Sequence, residues 1–149
     1  MLATTIFEVQ AQMSEISLAV FSCIWLTVCA VQDWRRRQVG NALTLPVLCA
    51  ALLLRLAGVV QGSILPFLLV TILLLLAWRK GWIGGADLKA SLTLALLEMQ
   101  MLAWAWAGLA LWYLSLRLIF RRDYPSRLPG FVGFSAGTFL FLAWRLYGS

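Results

Sequence analysis

The chain contains no histidine and three cysteines, so its chemical capacity rests on six carboxylates. Without histidine, His-activated nucleophiles, imidazole general bases and imidazole metal ligands are all excluded. Cys23, Cys29 and Cys49 lie in apolar runs with no CxxC spacing, which indicates neither a disulfide framework nor a zinc site; they read as packing residues. Among the carboxylates, Glu8 and Glu15 fall in a polar leader, Glu98 in a turn, and Asp123 among arginines, where a solvated charge pair is expected. Asp33 and Asp87 differ, because one closes an apolar run and the other opens one. Two carboxylates at the same depth can share a proton and activate water without a metal or cofactor: the ionised one is the general base and the protonated one polarises a carbonyl. Read separately, Asp33 is an interfacial stop residue paired with Arg36 or Arg37, and Asp87 is an N-cap, a role aspartate favours. Spacing alone leaves both readings open.

The elements that must position these residues follow from composition. Of 149 residues, 62% are hydrophobic and 12% charged, with a mean hydropathy of +0.89. A soluble domain is about half apolar and about a quarter charged. The expected fold is therefore an all-α polytopic membrane helical bundle, one domain over residues 1–149, with the lipid bilayer as its first partner. Apolar runs at Ile16–Val31, Leu43–Val60, Ile64–Trp78 and Phe131–Tyr147 are each bounded by charged, glycine or proline punctuation. The first has no Lys or Arg before it, which argues for an uncleaved helix with its N-terminus outside. Leu88–Phe120 is too long for one span: at about 1.5 Å per residue it would run about 50 Å, against a hydrocarbon core of about 30 Å. A turn at Glu98-Met99-Gln100 divides it, leaving a first half, Leu88–Leu97, that is short for a crossing and fits inside a bundle or a thinned bilayer. Six segments result.

Charge placement orients them. Ten of the twelve basic residues, Arg35, Arg36, Arg37, Arg79, Lys80, Lys89, Arg117, Arg121, Arg122 and Arg127, follow segments one, three and five, while only Arg55 and Arg145 lie on the other side. The basic loops are expected in the cytoplasm and both termini outside. The net charge of +6 is thereby read as membrane-face asymmetry, and no nucleic-acid partner is called for. Ala103, Ala105, Ala107, Gly108 and Ala110 would let the fifth helix pack closely, and Trp34, Trp78 and Trp82 suit the interface. Asp33 and Asp87 then share one depth on the cytoplasmic side.

The flanking residues narrow the choice. Gly84-Gly85-Ala86 precedes Asp87, a stretch that could bend sharply and admit an extended peptide chain. Gly84-Gly85-Ala86-Asp87-Leu88-Lys89 fits G-x-[GA]-D-x-K, and the segment from Asp33 to Thr44 fits D-x-R-x-R-x-[IV]-x-N-x-L-T. In this order and on one face, the two segments resemble the type IV prepilin peptidase family of GxGD intramembrane aspartic proteases. The stretch Arg127-Leu128-Pro129-Gly130-Phe131 with Gly133 is similar to that family's Pro-Phe-Gly entry to its last helix. Gly40 stands where the family usually has proline, and Ala86 where it often has glycine; both are small.

The resemblance implies a membrane aspartic endopeptidase of a bacterial or archaeal inner membrane. Its catalytic residues are Asp33 and Asp87, with Gly84, Gly85, Ala86, Lys89, Arg35 and Asn41 in support and no cofactor or metal. The loop after the first helix holds no cysteine-rich insert, so the chain looks like the short form, associated with Flp or tight-adherence pili, with no N-methyltransferase activity expected. The implied partner is a prepilin-like substrate with a basic leader, cut after a small residue, ahead of its own transmembrane helix; self-association is left open. Lys89 either leans toward the site or snorkels to headgroups, and Arg35 and Asn41 are expected to brace the loop. Asp87 at a helix N-terminus is favoured as the anion by about 0.3–1 kcal/mol and Asp33 at a helix C-terminus disfavoured, with Arg35, Arg36 and Arg37 opposing that bias. Two other readings compete: a signal-peptide-peptidase or presenilin-like protease, disfavoured by the compact Asp33–Asn41 segment, and a non-enzymatic scaffold or pilus-assembly partner.

Overall fold

The computed structural model of the chain describes residues 2–60, 62–119 and 130–148, with side chains described from residue 13 onward. Asp123, Arg121, Arg122, Arg127 and the Glu8 side chain lie outside the described residues. The described residues form six helices: α1 (Leu2–Arg36), α2 (Asn41–Leu56), α3 (Ile64–Arg79), α4 (Gly85–Leu97), α5 (Met99–Ile119) and α6 (Gly130–Tyr147). They make an all-α bundle.

Each expected segment has its helix, and the boundaries differ for local reasons. α1 extends upstream through the polar leader, because no glycine or proline interrupts residues 2–36 to stop it. It ends at Arg37, whose φ of 56° is left-handed and whose N–H donates to the Asp33 carbonyl at 2.8 Å. That is the kind of helix end usually given to glycine, and an arginine there costs roughly 1–2 kcal/mol. Only Glu98, extended at φ −161° and ψ 124°, separates α4 from α5, rather than the three-residue turn expected.

Residue pairs that touch between helices fix their directions. α6 runs antiparallel to α5, since Gly133 lies against Leu109 and Gly137 against Trp104. It also runs antiparallel to α1, with Phe131 bonded to Asp33 and Arg145 paired with Glu15. α2 and α4 are parallel: Asn41 meets Lys89 at one end, and Arg55 donates to the Leu96 carbonyl at the other. The chain therefore alternates between two ends. Asp33, Asn41, Asp87 and Gly130 gather at one, Glu15, Arg55, Glu98 and Arg145 at the other.

The α5–α6 contact is made by missing side chains. A Cβ on Gly108 would fall 2.5 Å from the Gly133 carbonyl oxygen, and one on Gly137 would fall 2.1 Å from the Trp104 carbonyl oxygen. Gly133-x-x-x-Gly137 is thus the close-approach face of α6, the small-xxx-small pattern of membrane helices. The expected small-residue face of α5 is met at Gly108 and Ala105, both buried, whereas Ala103, Ala107 and Ala110 are exposed.

α4 lies at the centre. Its 13 residues span about 20 Å by helix rise, well short of a bilayer core of about 30 Å. Leu88, Ala90, Ser91 and Thr93 through Leu97 are buried, so the short helix is shielded by its neighbours. In α3, by contrast, only Leu74 is buried, and Ile64, Leu65, Leu68, Leu69, Ile72 and Leu73 face outward. Soluble proteins rarely expose a contiguous apolar surface of this kind, but hydrocarbon solvates it. Two helical stretches, Met13–Arg36 and Met99–Ile119, are long and apolar enough to cross a bilayer. Cys23 and Cys29 pack in the interior as expected, but Cys49 is exposed.

Candidate active site

Asp33 occupies the last turns of α1 and faces the start of α6. Its Oδ2 accepts from the Phe131 N–H at 3.2 Å, and the Gly130 N–H is a second backbone donor. The first amides of a helix have no partner within it and carry the positive end of its dipole, so they form a ready anion site. Backbone of a helix distant in sequence thus supplies bonds to Asp33 that the sequence reading, which paired it with Arg36 or Arg37, did not foresee. Arg37 remains close enough to act on Asp33 electrostatically.

Asp87 approaches the same turn from α4. The N-cap of α4 is Gly84, so Asp87 is not the cap but the third helical residue, and its Oδ2 accepts from the Gly84 N–H at 3.3 Å. Gly84 has no side chain to return that bond. The other oxygen, Oδ1, lies 3.6 Å from the point a Gly130 Cβ would occupy. Both carboxylates thus face the first turn of α6, and they are near enough to interact electrostatically.

The glycines before Asp87 act differently from the expected sharp bend. Gly84 has φ −74° and ψ 158°, open to any residue. The left-handed turn in this loop is at Gly81, φ 74°. What Gly84 needs is smallness, because its Cβ would lie 3.0 Å from Asp87 Oδ2. A Cβ on Gly85 meets only Trp78 Nε1, at 3.8 Å. The fold therefore does not require glycine at 85. Ala86 is half-buried against the core.

Of the supporting residues, Lys89 meets Asn41. Its Nζ donates to Asn41 Oδ1 at 2.5 Å, tying the start of α2 to α4. The loop between α1 and α2 is held by Gln32, whose Oε1 accepts from the Gly40 N–H at 3.0 Å, while Arg35, expected to brace it, is exposed. The α6 amides offer Asp33 what the α4 N-terminus offers Asp87, which offsets the helix-end bias expected between them.

Two parts of this site carried no role in the sequence reading. Gly130 and Phe131 contribute their amides, and Tyr113 of α5 places its hydroxyl 3.6 Å from the same Gly130 Cβ point. The sequence signal for this convergence was the family-like entry to the last helix, Gly130-Phe131 with Gly133, and Gly133 and Gly137 bring α6 against α5.

The profile of the Type IV leader peptidase family matches residues 20–111, well over half the chain. The chain belongs to that family. Comparisons with curated proteins and with solved structures returned no match. Family membership makes the protein a membrane peptidase, aspartic in type as the family is. The matched stretch contains both aspartates, the Gly84-Gly85-Ala86 element and Asn41, whereas Tyr113, Gly130 and Phe131 lie beyond it. In this leader peptidase the turn that meets both carboxylates is thus contributed from outside the matched region.

Proposed function

We propose that the protein is a multi-pass endopeptidase that removes the basic leader from prepilin-like substrates at the cytoplasmic face of the membrane, with Asp33 and Asp87 as its catalytic pair. One observation carries this reading: two carboxylates from separate helices converge on one helix N-terminus at one end of the bundle. The ionised member takes a proton from water as it attacks the scissile carbonyl carbon, and the protonated member gives its proton to the carbonyl oxygen. Collapse of the tetrahedral intermediate returns a proton to the departing amine. The pair titrates as one coupled system.

A site at one end of an apolar bundle suits a substrate whose transmembrane helix begins just past the cut. Small residues at 84–86 leave backbone at the surface for an extended leader to approach. Ten basic residues on the cytoplasmic side would meet anionic lipid there.

Co-expression with candidate prepilins tests the reading: a shift of the prepilin to its processed size supports it, and unchanged size for every candidate counts against it. Because the pair needs no metal ion, processing by the purified protein should persist in chelator. Inhibition that zinc reverses would overturn the two-carboxylate mechanism.

Gly85→Val separates substrate approach from helix entry. The Cβ meets no backbone, so thermal stability in detergent should stay at the wild-type value. Processing should fall by orders of magnitude, because a branched side chain would block approach to Asp87. Full processing would reduce the glycine pair to a turn into α4.

A further inference from the structure

The two-carboxylate reading leaves one nearby group unused. Beside Asp87 lies a cavity of about 210 Å³, walled by Trp82, Trp106, Leu109 and Ala110, with Asp87 and Tyr113 also on its lining. That is several times the roughly 30 Å³ share of a liquid water. The apolar walls offer a reacting peptide few other polar partners.

Gly130 locates the hydroxyl. The point where its Cβ would stand lies 3.6 Å from Tyr113 Oη and 3.6 Å from Asp87 Oδ1, while its own amide faces Asp33. Three oxygen-bearing side chains therefore surround one residue without a side chain. Tyr113 is an exposed residue of α5 that also reaches α6. Its hydroxyl lies by the first turn of α6, within van der Waals reach of the same empty point as a carboxylate.

We propose that Tyr113 is a third catalytic residue, whose phenol donates a hydrogen bond to the scissile carbonyl oxygen as that oxygen gains negative charge. The inference rests on the Asp33–Asp87 reading and adds a donor that pair does not supply. A phenol carries an O–H that can donate, which an ionised carboxylate lacks. The carbonyl oxygen receives its proton from the carboxyl while Tyr113 holds it in place; no atom of the tyrosine is consumed.

The test uses the full-length protein in detergent and a prepilin that the wild type processes. Removing one oxyanion donor costs about 10²–10³-fold in kcat. Tyr113→Phe should accordingly lower kcat at least 10-fold with KM and thermal stability unchanged. It should also weaken binding of a non-cleavable tetrahedral mimic of the cleavage site far more than binding of the uncut prepilin, because an oxyanion donor acts on the transition state. Gly130→Ala is the second variant, placing a methyl at ordinary contact distance from both oxygens, where the reacting carbonyl would lie. It should keep its stability and lose kcat, and it remains informative if Tyr113→Phe fails to fold. Wild-type kcat in either variant, alongside inactive Asp33→Asn and Asp87→Asn, overturns the role of Tyr113 and leaves the catalytic pair standing. Active aspartate variants would overturn both.

Discussion

Asp33→Asn and Asp87→Asn should each abolish leader removal while the protein still inserts and folds. Each substitution keeps the side-chain shape and its capacity to accept from backbone amides, so the bonds to Phe131 and Gly84 can persist. What each removes is a group that can take or give a proton. Losing one proton-transfer partner costs about 10²–10⁴-fold, and residues that act as a unit lose nearly everything with the first removal. The double variant should therefore be little worse than either single one. Asp123→Asn, a carboxylate among arginines, should process normally. The measurement is the rate of appearance of processed prepilin, with membrane insertion and thermal stability followed in parallel. Near-wild-type processing by either aspartate variant would remove the catalytic assignment, and a scaffold role would then explain the motifs better.

The largest effect on stability should come from Gly137→Ala. The added methyl carbon would lie 2.1 Å from the Trp104 carbonyl oxygen and 2.7 Å from Ala105 Cα. Both neighbours are backbone, so no side-chain rotation can relieve the overlap and α5 must move away from α6. Overpacking a close-packed interior typically costs about 1–3 kcal/mol, and more where backbone has to shift. The expected result is a clear fall in the midpoint of thermal unfolding in detergent. Gly85→Val, a bulkier change in open space, should leave that midpoint where it was. Processing should fall with Gly137→Ala too, because the same displacement shifts the start of α6 relative to Asp33. Unchanged stability in this variant would mean that α5 and α6 do not approach as closely as the glycines allow.

The sequence by itself determined the helices, their number and the alternation between ends. Each is a property of local composition: apolar runs punctuated by charge, glycine or proline. The division of Leu88–Phe120 at Glu98 was legible because one helix would overrun a bilayer and reverse the basic loop after it. The two motif segments likewise singled out Asp33 and Asp87 as candidates, since order and spacing are sequence properties.

Only the tertiary structure decided what those residues face. The Asp33 partner is an amide of Phe131, and an amide looks the same in any sequence; its position depends on where α6 begins relative to α1. Asp87 read as a cap because aspartate favours caps, yet α4 starts two residues before it and its carboxylate bonds back to Gly84. Lys89 and Asn41 could each have served the site or the membrane, and their pairing follows from the parallel packing of α2 and α4. At the far end, Arg145 joins Glu98 at 2.6 Å and Glu15 at 3.2 Å, binding the break after α4 to both α1 and α6. Tyr113 had no motif to mark it. It reaches the site because Gly108, Gly133 and Gly137 let α5 and α6 meet backbone to backbone, a contact set by the absence of side chains from two helices at once.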